Sequence, residues 1–111
     1  MEIGAKSTST LVVTEQLTAA VMGSGDLPVL ATPAMIALME NAAMMAVAEA
    51  LPDDQTTVGS LMNASHLKPT AVGDTVEATA TLVAVEGRKL TFRVEAHDSE
   101  GLIGEGDHVR Y

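Results

Sequence analysis

Thr32-Pro33-Ala34-Met35-Ile36-Ala37-Leu38-Met39-Glu40-Asn41-Ala42-Ala43-Met44-Met45-Ala46-Val47-Ala48-Glu49-Ala50-Leu51 reads as one helix. Threonine is a capping residue type, and Pro33 suits a first helical position, where no N–H is needed. Pro52-Asp53-Asp54 stops the run. A surface helix carries one apolar stripe and one polar face. This one is apolar nearly all the way round, so something must wrap it. It has the length of a membrane span, but a carboxylate at Glu40, in its middle, makes that reading poor. It is too short to be the core of a large bundle. For a chain of 111 residues, a curved sheet folded round one central helix is the simplest solution.

The flanking segments supply that sheet. Leu11-Val12-Val13 reads as a short first strand, and Glu15–Met22 as one or two helical turns. Gly23-Ser24-Gly25-Asp26 is a loop; no Lys-Ser/Thr pair follows it, so it is not a phosphate loop. Thr56–Leu67 reads as a strand and Lys68–Asp74 as a turn. In Thr75–Glu86, Val76, Ala78, Ala80, Leu82 and Ala84 share a face. In Lys89–Asp98, Leu90, Phe92, Val94 and Ala96 do the same, and Leu102–Tyr111 makes the last strand. The turns between these later strands are short, so the strands are antiparallel neighbours. The expected fold class is α+β: an antiparallel curved sheet wrapped round one long helix, as one domain over residues 1–111.

Composition narrows the functions. Apolar residues make up 47% of the chain and aromatics only 2%, so the core is aliphatic with seven methionines. A formal charge of −9 argues against nucleic acid, which needs clustered Lys and Arg. A small anionic ligand needs only a few local cations. With no cysteine, disulfides, thiolate metal sites and cysteine nucleophiles are excluded. Met1–Thr10 lacks the basic-then-apolar pattern of a secretory signal. A soluble, cytoplasmic protein with no membrane contact is expected.

Glu40 is the strongest anomaly. Its helical neighbours Ile36, Ala37, Ala43 and Met44 are all apolar. An ionised carboxylate there is costly unless it is paired or hydrogen-bonded, a setting that suits acid–base or nucleophilic work. The alternative is that Glu40 reaches solvent or a structural partner. By strand parity His66 shares a face with Val58, Met62 and Ala64, on the helix side, where it could meet the helix of a neighbouring chain. It is either a proton carrier near neutral pH or a histidine bonded to a carbonyl. Thr32 is first a helix cap. That position also offers backbone N–H groups and the positive end of the helix dipole to a developing oxyanion.

Thr32 and Glu40 are separated by a helical rise of about 12 Å. If they act together, they converge from different chains or the substrate bridges them. His97 falls on the polar side of its strand, and the facing of His108 is open. The histidines have no metal-ligand spacing and no Gly-x-Ser-x-Gly elbow is present, so neither a metal site nor a serine hydrolase is expected. The methionines read as core filler, with a flexible acyl pocket as the alternative. Lys68, Arg88, Lys89 and Arg93 are clustered cations near strand ends. They are either solvated turn charges or ligands for coenzyme A phosphates.

Several segments together resemble the hotdog thioesterases, and more narrowly the fluoroacetyl-CoA thioesterase-like family. They are Ala31-Thr32, Leu38-Met39-Glu40, Ser65-His66, Val85-Glu86-Gly87-Arg88, Ala96-His97-Asp98 and Gly104-Glu105-Gly106-Asp107-His108-Val109-Arg110. The resemblance spans about Thr10 to Tyr111. It implies a homodimer, or a higher assembly, that hydrolyses a small acyl-CoA thioester. Coenzyme A enters as part of the substrate and no separate cofactor is used. The implied catalytic set is Thr32, Glu40 and His66 at a dimer interface. Glu40 is nucleophile or activator of water, His66 proton carrier, and Thr32 orienting partner or nucleophile. Gly59 falls at a thioester-contacting glycine position and Arg110 at a family arginine. Lys68 and Arg88 complete the expected substrate-binding set. One departure concerns selectivity. The fluoroacetyl-specific member has a phenylalanine-lined lid before the helix, whereas Val21–Leu30 contains no aromatic residue. A non-catalytic acyl-CoA-binding dimer is the alternative function.

Overall fold

The structure, a computed structural model, describes residues 1–111. Five strands form one antiparallel sheet: β1 (Lys6–Val12), β2 (Gly59–His66), β3 (Thr75–Glu86), β4 (Lys89–Asp98) and β5 (Gly101–Arg110). Their spatial order is β1-β3-β4-β5-β2, so β1 and β2 are the edges. Between β1 and β2 run a 3-10 turn (Glu15–Leu17), the short helix α1 (Ala19–Met22) and the long helix α2 (Thr32–Val47). A second 3-10 turn, Ala48–Ala50, extends α2. No helix is long and apolar enough to cross a membrane.

The core forms where α2 lies on the concave face of the sheet. Ala34, Met35, Leu38, Met39, Ala42, Ala43 and Val47 of α2 are buried. They meet Val76, Ala78, Ala80 and Leu82 of β3, and Leu90, Phe92, Val94 and Ala96 of β4. These strand residues alternate as the sequence predicts, and Phe92 is the largest fully buried side chain. Burying each large side chain of this kind contributes about 1.5–3 kcal/mol. Ala84 departs from the alternation because a bulge between Leu82 and Ala84 shifts the register. β1 is longer than expected, beginning at Lys6 and paired with β3 throughout.

The sheet does not wrap α2 completely. Ala37, Asn41 and Met45 are exposed, and Ile36, Glu40 and Met44 are half-buried. The apolar character of this outer side is therefore unused within one chain.

Two glycines let β2 and α2 close on β5. β5 turns Gly104, Gly106, His108 and Arg110 inward, all of them buried. A Cβ on Gly104 would stand 2.5 Å from the Met35 Sδ and 3.0 Å from the Ser65 carbonyl oxygen. A Cβ on Gly106 would collide with the Asn63 carbonyl oxygen and lie 2.5 Å from the Ala64 Cα. Glycine inside a strand marks such a close backbone approach. Gly106→Ala should therefore cost about 3 kcal/mol of stability, because rigid backbone of β2 must move. Gly104→Ala should cost about 1 kcal/mol, since the Met35 tail can swing aside. Urea unfolding of the two variants checks this order; equal, small losses would contradict the close packing of β2 on β5.

Candidate active site

The candidate residues gather at the two ends of the edge strand β2. At its C-terminal end, the Thr32 Oγ1 and the His66 Nδ1 are 2.7 Å apart. Both belong to one chain, so His66 meets the start of its own helix. The expected capping role of Thr32 is also corrected. The cap is Ala31, with extended backbone, and Thr32 is the first helical residue. Its hydroxyl is thus free of capping duty and engages the imidazole instead. Pro33 has no N–H and the Ala34 N–H is donated to the Ala31 carbonyl. The helix start therefore offers mainly the Thr32 N–H, not a set of amides.

His66 faces the helix side with Met62 and Ala64, as parity predicts, but Val58 does not join them. The bulge between Gly59 and Leu61 breaks the alternation, leaving Val58 65% exposed. Burial holds the His66 imidazole below its ordinary value of 6.5, so it is neutral at physiological pH. Its Nε2 is buried and has no hydrogen-bond partner. Beside it opens a cavity of about 300 Å³, lined by Ala19, Ser24, Val29, Leu30, Thr32, His66, Leu67, Lys68 and Pro69. No aromatic residue lines it.

Glu40 lies at the other end of β2. The same bulge that exposes Val58 turns Gly59 inward, opposite Arg110. A Cβ on Gly59 would stand 3.2 Å from the Glu40 Oε2, 3.2 Å from the His108 Cε1 and 3.5 Å from the Arg110 Nη1. Glycine thus leaves a gap between carboxylate and guanidinium. The only ion pairs within 4.0 Å are those of Arg93 with Glu105 and Asp107, so Glu40 and Arg110 face each other without direct contact. Arg110 is only 7% exposed. Its Nε–H donates to the Thr57 Oγ1 at 2.8 Å, and its Nη2–H to the Thr57 carbonyl oxygen at 3.0 Å. Burial pulls the guanidinium down from its ordinary value, and Glu40 acts in the opposite direction. Arginine starts so high that it stays charged.

Sequence reasoning missed Thr57 and left His108 unplaced. Both are buried and both bind Arg110. The available signal was Gly104-Glu105-Gly106-Asp107-His108-Val109-Arg110, in which every second residue is small or polar yet faces inward. His97 is exposed, as expected. Lys68 lines the cavity of Thr32 and His66, whereas Arg88 lines a different one, of about 610 Å³, with Thr56, Thr57, Val58 and Tyr111. One chain therefore does not bring the two cations together. Nor does it bring Glu40 to Thr32 and His66: β2 from Gly59 to His66 runs about 23 Å.

Comparison with known proteins agrees with this architecture. The family model of the fluoroacetyl-CoA-specific thioesterases matches residues 13–111. The fluoroacetyl-CoA thioesterase of Streptantibioticus cattleyicolor is 43% identical over 82 residues, which cover 74% of this chain. That match spans 59% of the relative's own length. A phenylalanine-to-alanine variant of the fluoroacetyl-CoA-specific thioesterase, solved with fluoroacetate and CoA, superposes with a TM-score of 0.92 at 35% identity. The superposition covers 99% of this chain and 93% of that one. A hot-dog-like protein from Thermanaerovibrio acidaminovorans superposes with a TM-score of 0.89 at 25% identity, covering 99% and 82%. The fold is the hotdog fold, and the chain belongs to the fluoroacetyl-CoA-specific thioesterase family.

Proposed function

We propose that this protein is an acyl-CoA thioesterase, acting as a homodimer in which each site combines Thr32 and His66 of one copy with Glu40, Gly59 and Arg110 of the other. The observation that carries this reading is the position of the two half-sites at opposite ends of an exposed edge strand. Two copies of β2 paired antiparallel across a two-fold axis bring the His66 end of one against the Gly59 end of the other. Two complete sites result. Parallel pairing would bring like ends together and complete neither. The outer side of α2, with Ile36, Ala37, Met44 and Met45, supports the same arrangement, since it is apolar and uncovered in one chain.

In this composite site, Glu40 supplies the nucleophilic step on the thioester carbonyl, either directly or by taking a proton from water. Neutral His66, hydrogen-bonded to the Thr32 hydroxyl, carries protons, and its unpartnered Nε2 is the atom left to meet the reacting groups. On the direct route the acyl–sulfur bond breaks as a mixed anhydride forms on Glu40, and water then hydrolyses that anhydride. On the other route the activated water adds and the acyl–sulfur bond breaks. On both, the thiolate takes a proton, and the acid and CoA leave. The Thr32 N–H and Arg110 stabilise negative charge on oxygen as it develops. Lys68 and Arg88, which the dimer would draw towards one site, suit the phosphates of coenzyme A. The cavity beside His66 lacks aromatic walls, so short to medium acyl groups fit this reading better than selectivity for fluoroacetyl.

Thiol release from acetyl- to octanoyl-CoA tests the activity. Glu40→Gln keeps the side-chain shape and should lower turnover at least about 100-fold, with dimer and fold intact by light scattering and circular dichroism. Undiminished hydrolysis would remove Glu40 from the mechanism. A thermal shift with CoA but no thiol release from any substrate would favour a ligand-binding dimer.

Acidity gives a separate check. Burial holds His66 and His108 below 6.5, so the unfolded chain binds more protons just below that pH. The stability they confer is full above 6.5 and is lost as pH falls through their folded values. The urea midpoint should therefore drop between pH 7 and 5, and the acid limb of kcat/KM should lie below 6.5. An acid limb centred above 6.5 would mean that burial does not set the proton affinity of His66 in the composite site, where the carboxylate of the partner's Glu40 raises it.

A further inference from the structure

Arg110 is a buried cation without a carboxylate in contact, and what fixes its orientation is a histidine with no role in the reaction as described above. His108 is 1% exposed and sits near the C-terminal end of β5, opposite Met62 of β2 and Phe92 of β4. Its Nδ1 is 2.7 Å from the Leu61 carbonyl oxygen and its Nε2 is 3.2 Å from the Arg110 Nη1. The carbonyl can only accept, so the proton is on Nδ1. The guanidinium can only donate, so Nε2 presents a lone pair. Both ring nitrogens are thereby committed, and only the neutral Nδ1–H tautomer satisfies both neighbours. A second ring proton would point directly at a guanidinium N–H.

We infer that His108 is a positioning residue: through its Nε2 lone pair it orients the Arg110 guanidinium towards the gap over Gly59, facing Glu40. Thr57 holds two edges of the guanidinium, at Nε and Nη2, and His108 takes one N–H of the third nitrogen. Of the two N–H bonds left, the one on Nη1, the nitrogen that would stand 3.5 Å from a Gly59 Cβ, is the donor nearest the gap that Gly59 keeps open. The same imidazole ties this arrangement to the backbone of β2 beside the Gly59 bulge, through Leu61. The inference rests on the proposal that Glu40 and Arg110 share the reacting site.

Its two hydrogen bonds can be removed separately. The side-chain amide of asparagine overlies Nδ1, and that of glutamine overlies Nε2. His108→Asn keeps a donor for Leu61 and removes the acceptor for Arg110. His108→Gln keeps the acceptor and gives up the bond to Leu61. If His108 positions Arg110, His108→Asn melts near the wild type but loses about 100-fold in kcat, while His108→Gln melts lower yet stays within about 5-fold. If the residue is only structural, activity follows stability, and His108→Asn is as active as His108→Gln or more so; that result overturns the inference. The ¹⁵N spectrum of the wild-type side chain at pH 7 decides independently of whether either variant folds. A protonated Nδ1 with a lone pair at Nε2 supports the inference, and an Nε2–H or doubly protonated ring overturns it. A wild type without turnover would instead sink the thioesterase reading, and the spectrum would still report on His108.

Discussion

The seating of α2 on the sheet is the constraint on which the rest depends. One side of the helix is buried against β1, β3 and β4, and this fixes its rotation. Once Met35, Met39 and Ala43 point inward, Glu40 must lie at the boundary, half-buried and aimed at the start of β2. The same rotation sets Thr32 at the helix start beside the end of β2. The glycines of β5 then determine how near β2 can come. A methyl group at Gly106 would push that strand away, and one at Gly59 would fill the gap between Glu40 and Arg110.

In the proposed dimer, this packing gives each chain two partial sites. Thr32 and His66 form a polarised pair beside a small cavity. Glu40, Gly59 and Arg110 form an electrostatic half-site with a pre-shaped gap. Each lacks what the other holds. Arg110 is costly to bury, and its hydrogen bonds to Thr57 and His108 compensate in part while fixing its direction. Such rigid placement is what a site needs if charge is to be stabilised without rearrangement during reaction.

Much of the fold was legible because several elements follow simple periods. β3 and β4 alternate, and their buried faces were read directly. β1 reads short in the sequence because Lys6–Thr10 carries Ser and Thr where apolar residues would mark a strand. β5 could not be oriented, because its inward face is Gly, Gly, His and Arg, the reverse of the usual rule. The Val58 assignment failed at a bulge, which parity cannot anticipate. Of the site, Glu40 was legible as a carboxylate among apolar neighbours. The pairing of Thr32 with His66 was not, because it depends on where the helix starts against the strand end. A threonine followed by proline looks like a cap, yet the extended residue before it took that role.

The central claim is that neither chain alone holds a complete site. The direct measurement mixes two inactive variants, Glu40→Gln and His66→Ala, under conditions that let subunits exchange, and follows thiol release from an acyl-CoA that the wild type hydrolyses. Each mixed dimer would contain one intact composite site and one doubly substituted site. With random exchange, about a quarter of wild-type activity should return. If the mixture stays as inactive as its parents while mass spectrometry shows mixed dimers, the site does not combine residues of two chains and the account is contradicted.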